Sequence, residues 1–357
     1  MIVYVGSYTG PERASGISVF KQDPASGDLA PLGSGVPTDN PSFLALHPRL
    51  PVLYAVNETA PEESPGPGVS AFAVDPSEGR LTPLNRQPAH GTSPCYVCLE
   101  PQGRYVLVAN YGDGTVAVFP VRPDGSLGEA TDVVQHQGSG PHARRQQGPH
   151  AHSVQFDPQG TFVLVCDLGI DQVLTYRLDP DAGKLRPHDP PAASVLPGGG
   201  PRHLDFHPSG RFAYVNAEIS SALNIFAYDP QRGALELLQT VSTLPPGYDG
   251  SARNSTAQVK VHPSGKFVYV SNRGHDSIAL FAVDERAGTV TPSGHQHTQG
   301  RTPRNFNLSP AGDFLYAANQ NGNSIVAFRV DPADGSLTST GHVTATPAPV
   351  CILFPPA

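Results

Sequence analysis

The sequence has little of several features that mark common protein classes. Its 357 residues include no tryptophan, one methionine and four cysteines, and only 15% are charged. Four cysteines in a chain of this length do not suggest a disulfide framework, so we expect a reducing, cytoplasmic setting. Lys and Arg number 23 against 31 Asp and Glu, a formal net charge of −8. This balance argues against a nucleic-acid partner, which would favour a basic surface.

Long apolar runs and helical patterns are also missing. No stretch approaches the roughly 18 apolar residues of a membrane-spanning helix, so we expect no membrane partner. Met1–Tyr8 has no basic segment, and we therefore expect no signal peptide. Gly and Pro together make 76 of 357 residues, or 21%, below the roughly 25–30% typical of low-complexity chains. Their even spacing indicates many tight turns rather than disorder.

A Gly-x-Leu or Gly-x-Val tripeptide recurs after short strands with alternating apolar residues. A glycine suits the positive φ of a tight hairpin turn at this place. The repeats are 46 to 58 residues apart and begin at Gly27, Gly79, Gly125, Gly183, Gly233, Gly288 and Gly335. Such a period is typical of a repeat architecture.

A Pro turn between two further short apolar strands precedes most of these glycines. These turns begin at His47, Glu100, Asp157, His207, His262 and Ser309. Each repeat therefore contains four strands, A to D, with the Pro turn between A and B and the Gly turn between C and D. Four strands at this period predict an all-β fold, a seven-bladed β-propeller with four-stranded antiparallel blades.

The two ends of the chain predict how the propeller closes. Residues 349–354 resemble a strand A, and Ile2–Ser7 resembles a strand B with no strand A before it. One blade is therefore expected to contain both termini, which would cover otherwise exposed strand edges. We expect a single propeller domain over residues 1–357, with residues 60–68 and 138–148 as insertions within blades.

The predicted topology also indicates where a functional site would form. The start of strand A and the end of strand B lie at one end of a hairpin, and strand A lines the channel of a propeller. Polar residues at these places should therefore gather around one mouth of the channel, which makes them a candidate site. The candidates are His150, His152, Arg202, His203, Glu218, Arg273, Arg304 and Asn305.

The same rule assigns structural roles to other conspicuous residues. His47, His207 and His262 lie on Pro turns at the opposite face and are expected to be turn residues. Cys95 and Cys98 stand on a strand, where residues three apart point to opposite faces, so a zinc site is not expected. Residues at equivalent strand ends are expected to satisfy turn amides; they are Asn57, Asn110, Asp167, Asn272 and Asn319.

The residue types in the candidate site favour binding of a small anion. Arginine is a permanent cation whose planar fork matches carboxylates and phosphates. Ion pairs of Arg202, Arg273 and Arg304 with Glu218 or Glu58 are the alternative explanation. His150, His152 or Glu218 could act as a general base. The histidine-rich residues 142–152 contain no carboxylate to complete a metal site, so we expect no metal. A base beside anion-binding arginines suits water attack on an activated ester or proton transfer next to a carboxylate.

Four segments of the chain resemble motifs of a known family. They are Gly-Pro-Arg-His-Leu-Asp-Phe-His-Pro at 200–208, Asn-Ala-Glu-Ile-Ser-Ser at 216–221, Ser-Asn-Arg-Gly-His at 271–275 and Thr-Pro-Arg-Asn-Phe-Asn at 302–307. They resemble the seven-bladed propeller lactonases of the cycloisomerase 2 type, which include 6-phosphogluconolactonases and 3-carboxy-cis,cis-muconate lactonizing enzymes. The resemblance covers essentially the whole chain. It implies a site without a cofactor, with catalytic roles for His150, Arg202, Glu218 and Arg273.

Three functions follow as hypotheses. The first is a hydrolase that opens a sugar lactone, 6-phosphoglucono-1,5-lactone, with Arg304, His152, His203 and Asn305 as further substrate contacts. The second is a cycloisomerase acting on a carboxylated muconolactone, because an arginine binds phosphate and carboxylate alike. The third is a propeller that binds another protein and catalyses nothing. The first two predict a small anionic lactone as the partner.

Overall fold

The computed structural model describes residues 1–10, 16–33, 35–250 and 253–355. The chain divides into two compact units. Unit 1 contains residues 1–34, 202–228 and 235–357, and unit 2 contains residues 35–201 and 229–234. The expectation of a single domain over the whole chain stays a prediction.

The described residues form short strands and almost no helix. The strands of the first half are β1 (Ile2–Ser7), β2 (Gly16–Gln22), β3 (Leu29–Pro31), β4 (Val36–Pro37), β5 (Leu44–Leu46), β6 (Val52–Asn57), β7 (Gly68–Val74), β8 (Leu81–Pro88), β9 (Pro94–Leu99), β10 (Tyr105–Asn110), β11 (Thr115–Pro120), β12 (Asp132–Gln135), β13 (Ala151–Phe156), β14 (Val163–Asp167), β15 (Gln172–Asp179) and β16 (Lys184–Ser194). Those of the second half are β17 (Pro201–Phe206), β18 (Phe212–Ala217), β19 (Ala222–Asp229), β20 (Ala234–Ser242), β21 (Ser255–Val261), β22 (Phe267–Arg273), β23 (Ser277–Val283), β24 (Val290–His297), β25 (Pro303–Leu308), β26 (Phe314–Asn319), β27 (Ser324–Val330), β28 (Leu337–Ala345) and β29 (Pro349–Leu353). A 3₁₀ helix spans Gln320–Gly322.

These strands make the seven blades of a β-propeller. Six blades take four consecutive strands each, β5–β8, β9–β12, β13–β16, β17–β20, β21–β24 and β25–β28. The seventh has the order β29-β1-β2-β3. Its first two strands run antiparallel and place Tyr4 opposite Leu353 and Val5 opposite Ile352. The structure therefore confirms the predicted fold and the blade that is completed by both termini.

Burial explains the strand sequences. The second strand of a blade is buried along its whole length in β6, β10, β18 and β26. Such strands are rich in Val, Leu, Tyr and Ala because both of their faces pack against neighbouring sheets. The outer strand β8 is mostly exposed and correspondingly polar. Within each unit the hydrophobic core lies between consecutive blades; for example, Val56 and Val69 pack with Val97 and Val108.

A buried tyrosine in the second strand connects each of several blades to the next Gly turn. The hydroxyl of Tyr54 donates to Gly125 O at 2.8 Å, that of Tyr214 to Gly288 O at 3.0 Å, and that of Tyr269 to Gly335 O at 2.8 Å. Burial raises the pKa of all three phenols above the usual range, which keeps them protonated donors. The repeated Gly-x-Leu signal thus marks an acceptor carbonyl as well as a turn.

Replacing Tyr269 with phenylalanine tests this connection. The variant keeps the ring but leaves the buried Gly335 carbonyl without its donor, so we expect the free energy of unfolding to fall by about 1–2 kcal/mol. Urea unfolding should show a lower midpoint with an unchanged slope. A midpoint equal to that of the wild type would show that water replaces the hydroxyl without loss.

The histidines of the Pro turns have the structural role predicted for them. The Nε2 atoms of His47, His207 and His262 lie 3.0, 3.1 and 3.2 Å from the carbonyls of Gly103, Gly265 and Gly312. These glycines have positive φ angles, 80° for Gly103, 78° for Gly265 and 82° for Gly312. A Cβ at Gly265 would stand 2.6 Å from His207 Nε2. Only glycine therefore suits this contact between neighbouring Pro turns.

The cysteines behave as small core residues. None of the four is in a disulfide, and Cys95, Cys166 and Cys351 are buried. Burial raises the pKa of the Cys166 thiol to about 12, so this thiol is unreactive at neutral pH. Among the residues that the structure describes, no group of three or more His, Cys, Asp or Glu side chains could hold a metal ion. Nor does any described helix have the length and apolar character needed to cross a membrane.

Candidate active site

The candidate residues lie at strand ends, as their positions in the repeats predict. In unit 1, Arg202 and His203 follow the first residue of β17, and Glu218 comes directly after β18. Arg273 is the last residue of β22, and Arg304 and Asn305 follow the first residue of β25. In unit 2, His150 directly precedes β13 and His152 is its second residue.

Glu218 brings two arginines together in unit 1. Its Oε2 atom accepts from Arg202 Nε at 2.8 Å and lies 2.8 Å from Arg273 NH2. The three side chains are nearly buried, with exposed fractions of 3% for Arg202, 6% for Glu218 and 13% for Arg273. A carboxylate held between two guanidinium groups is stabilised as the anion. It is therefore better suited to orient the arginines than to accept a proton.

Arg273 is the arginine of this cluster whose Nε donor is not used in the described residues. Its NH2 group also donates to Thr256 O at 2.8 Å, whereas its buried Nε has no hydrogen-bond partner among the described residues. Burial lowers the pKa of Arg273 from its usual value, Glu218 acts against this, and the nearby Arg304 lowers it further. Arginine remains a cation in proteins, so an anion placed beside Arg273 would relieve this unfavourable environment.

Arg202 and His203 are tied into the β-sheet framework. Arg202 NH1 donates to Ala257 O and lies 3.1 Å from His203 Nε2. His203 Nδ1 pairs with Gln258 Oε1, and the His203 main-chain N–H donates to Asn216 Oδ1 at 3.2 Å. Since Nδ1 donates to an amide oxygen, His203 Nε2 accepts from the arginine. His203 thus supports Arg202 and is poorly placed to act as a base.

Arg304 and Asn305 differ in their surroundings although they are adjacent on β25. The Arg304 guanidinium carbon lies 5.4 Å from the centre of the Tyr8 ring, a cation–π contact, and the side chain is half-buried. Asn305 is buried, and its Oδ1 accepts from the main-chain N–H of Ile352 at 2.9 Å. Asn305 therefore holds the last strand, β29, in place.

In unit 2, His150 has the geometry of a proton acceptor. Its Nδ1 lies 2.7 Å from the carbonyl oxygen of Tyr111, and the two rings stack with centres 4.6 Å apart. A carbonyl can only accept, so Nδ1 carries the proton and Nε2 keeps its lone pair. The main-chain N–H of His150 donates to Asp167 Oδ1 at 2.7 Å. The ring is half-buried, so Nε2 belongs to an oriented, accessible imidazole.

His152 has a different environment from its neighbour. It is 4% exposed, and its Nδ1 lies 3.6 Å from Cys95 Sγ. The edge of its ring meets Tyr111, with centres 5.2 Å apart. Both histidine rings contact Tyr111, but His150 is half-buried whereas His152 is packed in the protein interior.

Sequence reasoning did not single out two residues that shape these surroundings. Tyr111 supplies the carbonyl and the ring that hold His150, and its hydroxyl accepts from Arg145 NH2 at 3.0 Å. Asp167, predicted to be a turn residue, accepts the His150 N–H. Tyr111 directly follows β10 and Asp167 ends β14. The available signal for Tyr111 was its position directly after a strand B, as for Glu218, whereas Asp167 is the last residue of its strand B.

Comparisons with known proteins agree with the fold and with these motifs. A family model described as lactonase, 7-bladed β-propeller, matches residues 2–354. A 6-phosphogluconolactonase from Bacillus subtilis is 38% identical over 306 residues, which cover 85% of this chain and 84% of that protein. A 6-phosphogluconolactonase from Formosa agariphila is 32% identical over 309 residues, 85% of each chain.

A solved structure shows the same architecture. The periplasmic gluconolactonase PpgL of Pseudomonas aeruginosa superimposes with a TM-score of 0.93 at 35% sequence identity. The match covers 99% of this chain and 98% of that one.

Proposed function

Because this chain belongs to the seven-bladed β-propeller lactonase family and is a lactonase, we propose that it opens 6-phosphoglucono-1,5-lactone to 6-phosphogluconate. The observation that carries the proposal is the pair of buried arginines on one Glu218 oxygen. Relatives named 6-phosphogluconolactonase supply the substrate. The proposed partner is therefore a small phosphorylated lactone.

The arginines provide the charge that such a substrate requires. We assign the developing oxyanion at the lactone carbonyl to Arg273, whose buried Nε is without a partner in the described chain. We assign the phosphate to Arg304, which is half-buried beside Tyr8. Donors that are already oriented stabilise a charge that forms in the transition state without further reorganisation. Glu218 and Arg202 provide that orientation by holding Arg273 and each other.

His150 is the proposed general base. Its Nε2 would take a proton from water as the water oxygen attacks the lactone carbonyl carbon, giving a tetrahedral oxyanion and an imidazolium. Collapse of this intermediate breaks the bond from the carbonyl carbon to the ring oxygen, and the imidazolium returns its proton to that oxygen. The products are the open-chain hydroxyl and the carboxylic acid, which ionises. The Tyr111 carbonyl supports this role because it holds the proton on Nδ1.

The other candidates receive supporting roles in this proposal. His203 holds Arg202, and Asn305 holds β29. His152 packs beside Tyr111 and Cys95. None of these three buried side chains is assigned a direct substrate contact, in contrast to the expectation from the sequence, which stays untested.

Comparison of two lactones tests the substrate. The purified chain should open the phosphorylated lactone with a kcat/KM about 10- to 100-fold higher than that for glucono-1,5-lactone, the effect of one charge-assisted contact. Rates are measured above the spontaneous hydrolysis of each lactone. Equal kcat/KM values for the two lactones would contradict the proposal that the site recognises a phosphate. Turnover of a carboxymuconolactone instead would favour the cycloisomerase hypothesis.

Replacing Arg304 with leucine should reveal its part in phosphate recognition. We expect kcat/KM for the phosphorylated lactone to fall by about 10-fold or more, because a charge-assisted hydrogen bond is lost. For glucono-1,5-lactone we expect a change of less than about two-fold, since that substrate has no phosphate. Equal losses with both substrates would place Arg304 at the reacting carbonyl rather than at the phosphate.

The cytoplasmic location expected from the sequence remains part of the proposal. Phosphorylated sugar lactones carry a charge that hinders their passage through a membrane, so an enzyme for them belongs where they are made. The gluconolactonase PpgL is described as periplasmic. A preference of this chain for the unphosphorylated lactone would therefore also weaken the cytoplasmic assignment.

A further inference from the structure

The blades share a joint at the end of their second strand. In three of them an asparagine Nδ2 donates to the main-chain carbonyl of the residue that follows the outer strand of the preceding blade. The pairs are Asn110 with Ala89 O at 3.1 Å, Asn272 with Thr243 O at 2.8 Å and Asn319 with Thr298 O at 3.2 Å. An asparagine and a backbone carbonyl are therefore sufficient to make this joint.

The blade that contains His150 makes the joint differently. Asp167 stands at the asparagine position and His136 at the position of Ala89, Thr243 and Thr298, directly after β12. The main-chain N–H of His136 donates to Gly114 O, as that of Thr243 donates to Ser221 O. His136 Nδ1 lies 2.6 Å from Asp167 Oδ2, and both side chains are 0% exposed. In this blade a carboxylate therefore replaces the asparagine amide, and its partner is an imidazole side chain instead of a main-chain carbonyl.

This pair is not the simplest way to stabilise the blade. The Nε2 atom of His136 is buried and has no hydrogen-bond partner in the described residues. A buried polar atom without a partner is unfavourable, and the asparagine joint would place no such imidazole here. Local departures from the best structural solution are expected where function requires them.

The carboxylate connects the pair directly to His150. Asp167 Oδ1 accepts from the main-chain N–H of His150 at 2.7 Å and from that of Gly169 at 2.9 Å. An asparagine oxygen could accept in the same way, as Asn216 Oδ1 does from the His203 N–H at 3.2 Å. What the aspartate adds is its negative charge and its bond to His136.

We propose that Asp167 and His136 are positioning residues for the reaction, a buried acid–imidazole pair that supports His150. The carboxylate fixes the main chain of His150 and places a negative charge near the imidazole that becomes cationic on taking a proton from water. His136 holds this carboxylate in one orientation. The inference rests on the proposed role of His150 as the base.

The double variant His136→Thr/Asp167→Asn tests the pair. It rebuilds the joint on the pattern of Thr243 and Asn272, so we expect a melting temperature close to that of the wild type. Because the charge behind His150 is removed, we expect kcat for lactone opening to fall by about 10- to 100-fold while KM changes by less than about two-fold. A folded double variant with the kcat of the wild type would overturn the proposal.

Thr243→Ala is the matched control in another blade. It removes the Thr243 hydroxyl, which lies 2.9 Å from Ser221 O and 2.8 Å from Asn272 Oδ1, and so weakens the equivalent joint of another blade. We expect a lower melting temperature and an unchanged kcat. If Thr243→Ala lowers kcat as much as the double variant does, the effect of the pair is general loss of blade order and the proposal is wrong.

NMR separates this inference from the proposed function. The His136 Nδ1–H proton lies in a short hydrogen bond to a carboxylate, so it should give a strongly downfield resonance. This resonance should disappear in Asp167→Asn and persist in His150→Ala. The His150 ring resonances, assigned by their loss in His150→Ala, should shift in Asp167→Asn. If they do not move, the inference fails even where the enzyme is active. If they move in a chain that opens neither lactone, the proposed function fails while the coupling stands.

Discussion

Replacement of His150 with alanine is expected to lower kcat for lactone opening by about 10²- to 10⁴-fold, the usual contribution of a positioned general base. The Nδ1–H bond to the Tyr111 carbonyl leaves Nε2 as the proton acceptor, and alanine has no group to replace it. The measurement is single-turnover and steady-state kinetics with 6-phosphoglucono-1,5-lactone, corrected for spontaneous hydrolysis. KM should change less than kcat, because the base acts mainly in the transition state.

His150→Ala should remain folded, since the ring is half-buried and packs mainly against Tyr111. His342→Ala is a suitable control: this histidine is 38% exposed, lies 3.5 Å from Asp28 and has no part in the proposed site. Its kcat should equal that of the wild type. A His150→Ala enzyme with full activity would move the role of the base to another group.

Replacement of Glu218 with alanine is expected to have the largest effect on stability. The variant leaves Arg202 and Arg273, with exposed fractions of 3% and 13%, without their shared carboxylate. Removing one partner of a buried ion pair lowers the free energy of unfolding by about 3–5 kcal/mol, because an uncompensated charge stays buried. Urea unfolding measures the loss. Lactonase activity should disappear as well, since Arg273 would no longer be oriented.

An exposed ion pair provides the comparison for Glu218→Ala. Arg186 is 60% exposed and lies 3.5 Å from Asp179; its replacement with alanine should change the free energy of unfolding by about 0–1 kcal/mol. Glu218→Gln keeps the shape of the side chain and loses its charge. Its loss in the free energy of unfolding should lie between those of Glu218→Ala and Arg186→Ala. A loss for Glu218→Ala no greater than that for Arg186→Ala would mean that solvent or another group reaches the arginines.

The fold could be predicted because its information is local and repeated. Each Gly turn and each Pro turn is specified by a few adjacent residues, and seven Gly turns and six Pro turns at a similar spacing support one another. The closing blade followed from the same pattern, since the first repeat lacks a strand A and the last segment of the chain resembles a strand A. Burial then explained details that the pattern alone did not contain, such as the acceptor role of Gly335 O for Tyr269.

The candidate site was predicted in position but not in the division of roles. The strand-end rule selected Arg202, Glu218 and Arg273, which the structure brings into direct contact. It did not separate His150 from His152, because residues two apart along a strand point to the same side and the sequence does not show which of the two is packed. It also placed Asp167 among the turn residues together with four asparagines. The change from amide to carboxylate was visible, but its partner His136 lies 31 residues away.

The amino-acid sequence by itself determined which residues turn, which residues form strands and which polar side chains stand at strand ends. These properties depend on backbone preferences and on the alternation of neighbouring residues. Tertiary packing decided the partners: the carbonyl that sets the protonated nitrogen of His150, the single oxygen shared by two arginines, and the imidazole buried against Asp167. The physical reason is that a hydrogen bond or an ion pair requires atoms of residues far apart in the chain to be positioned to within a few tenths of an ångström, and only packing sets those positions.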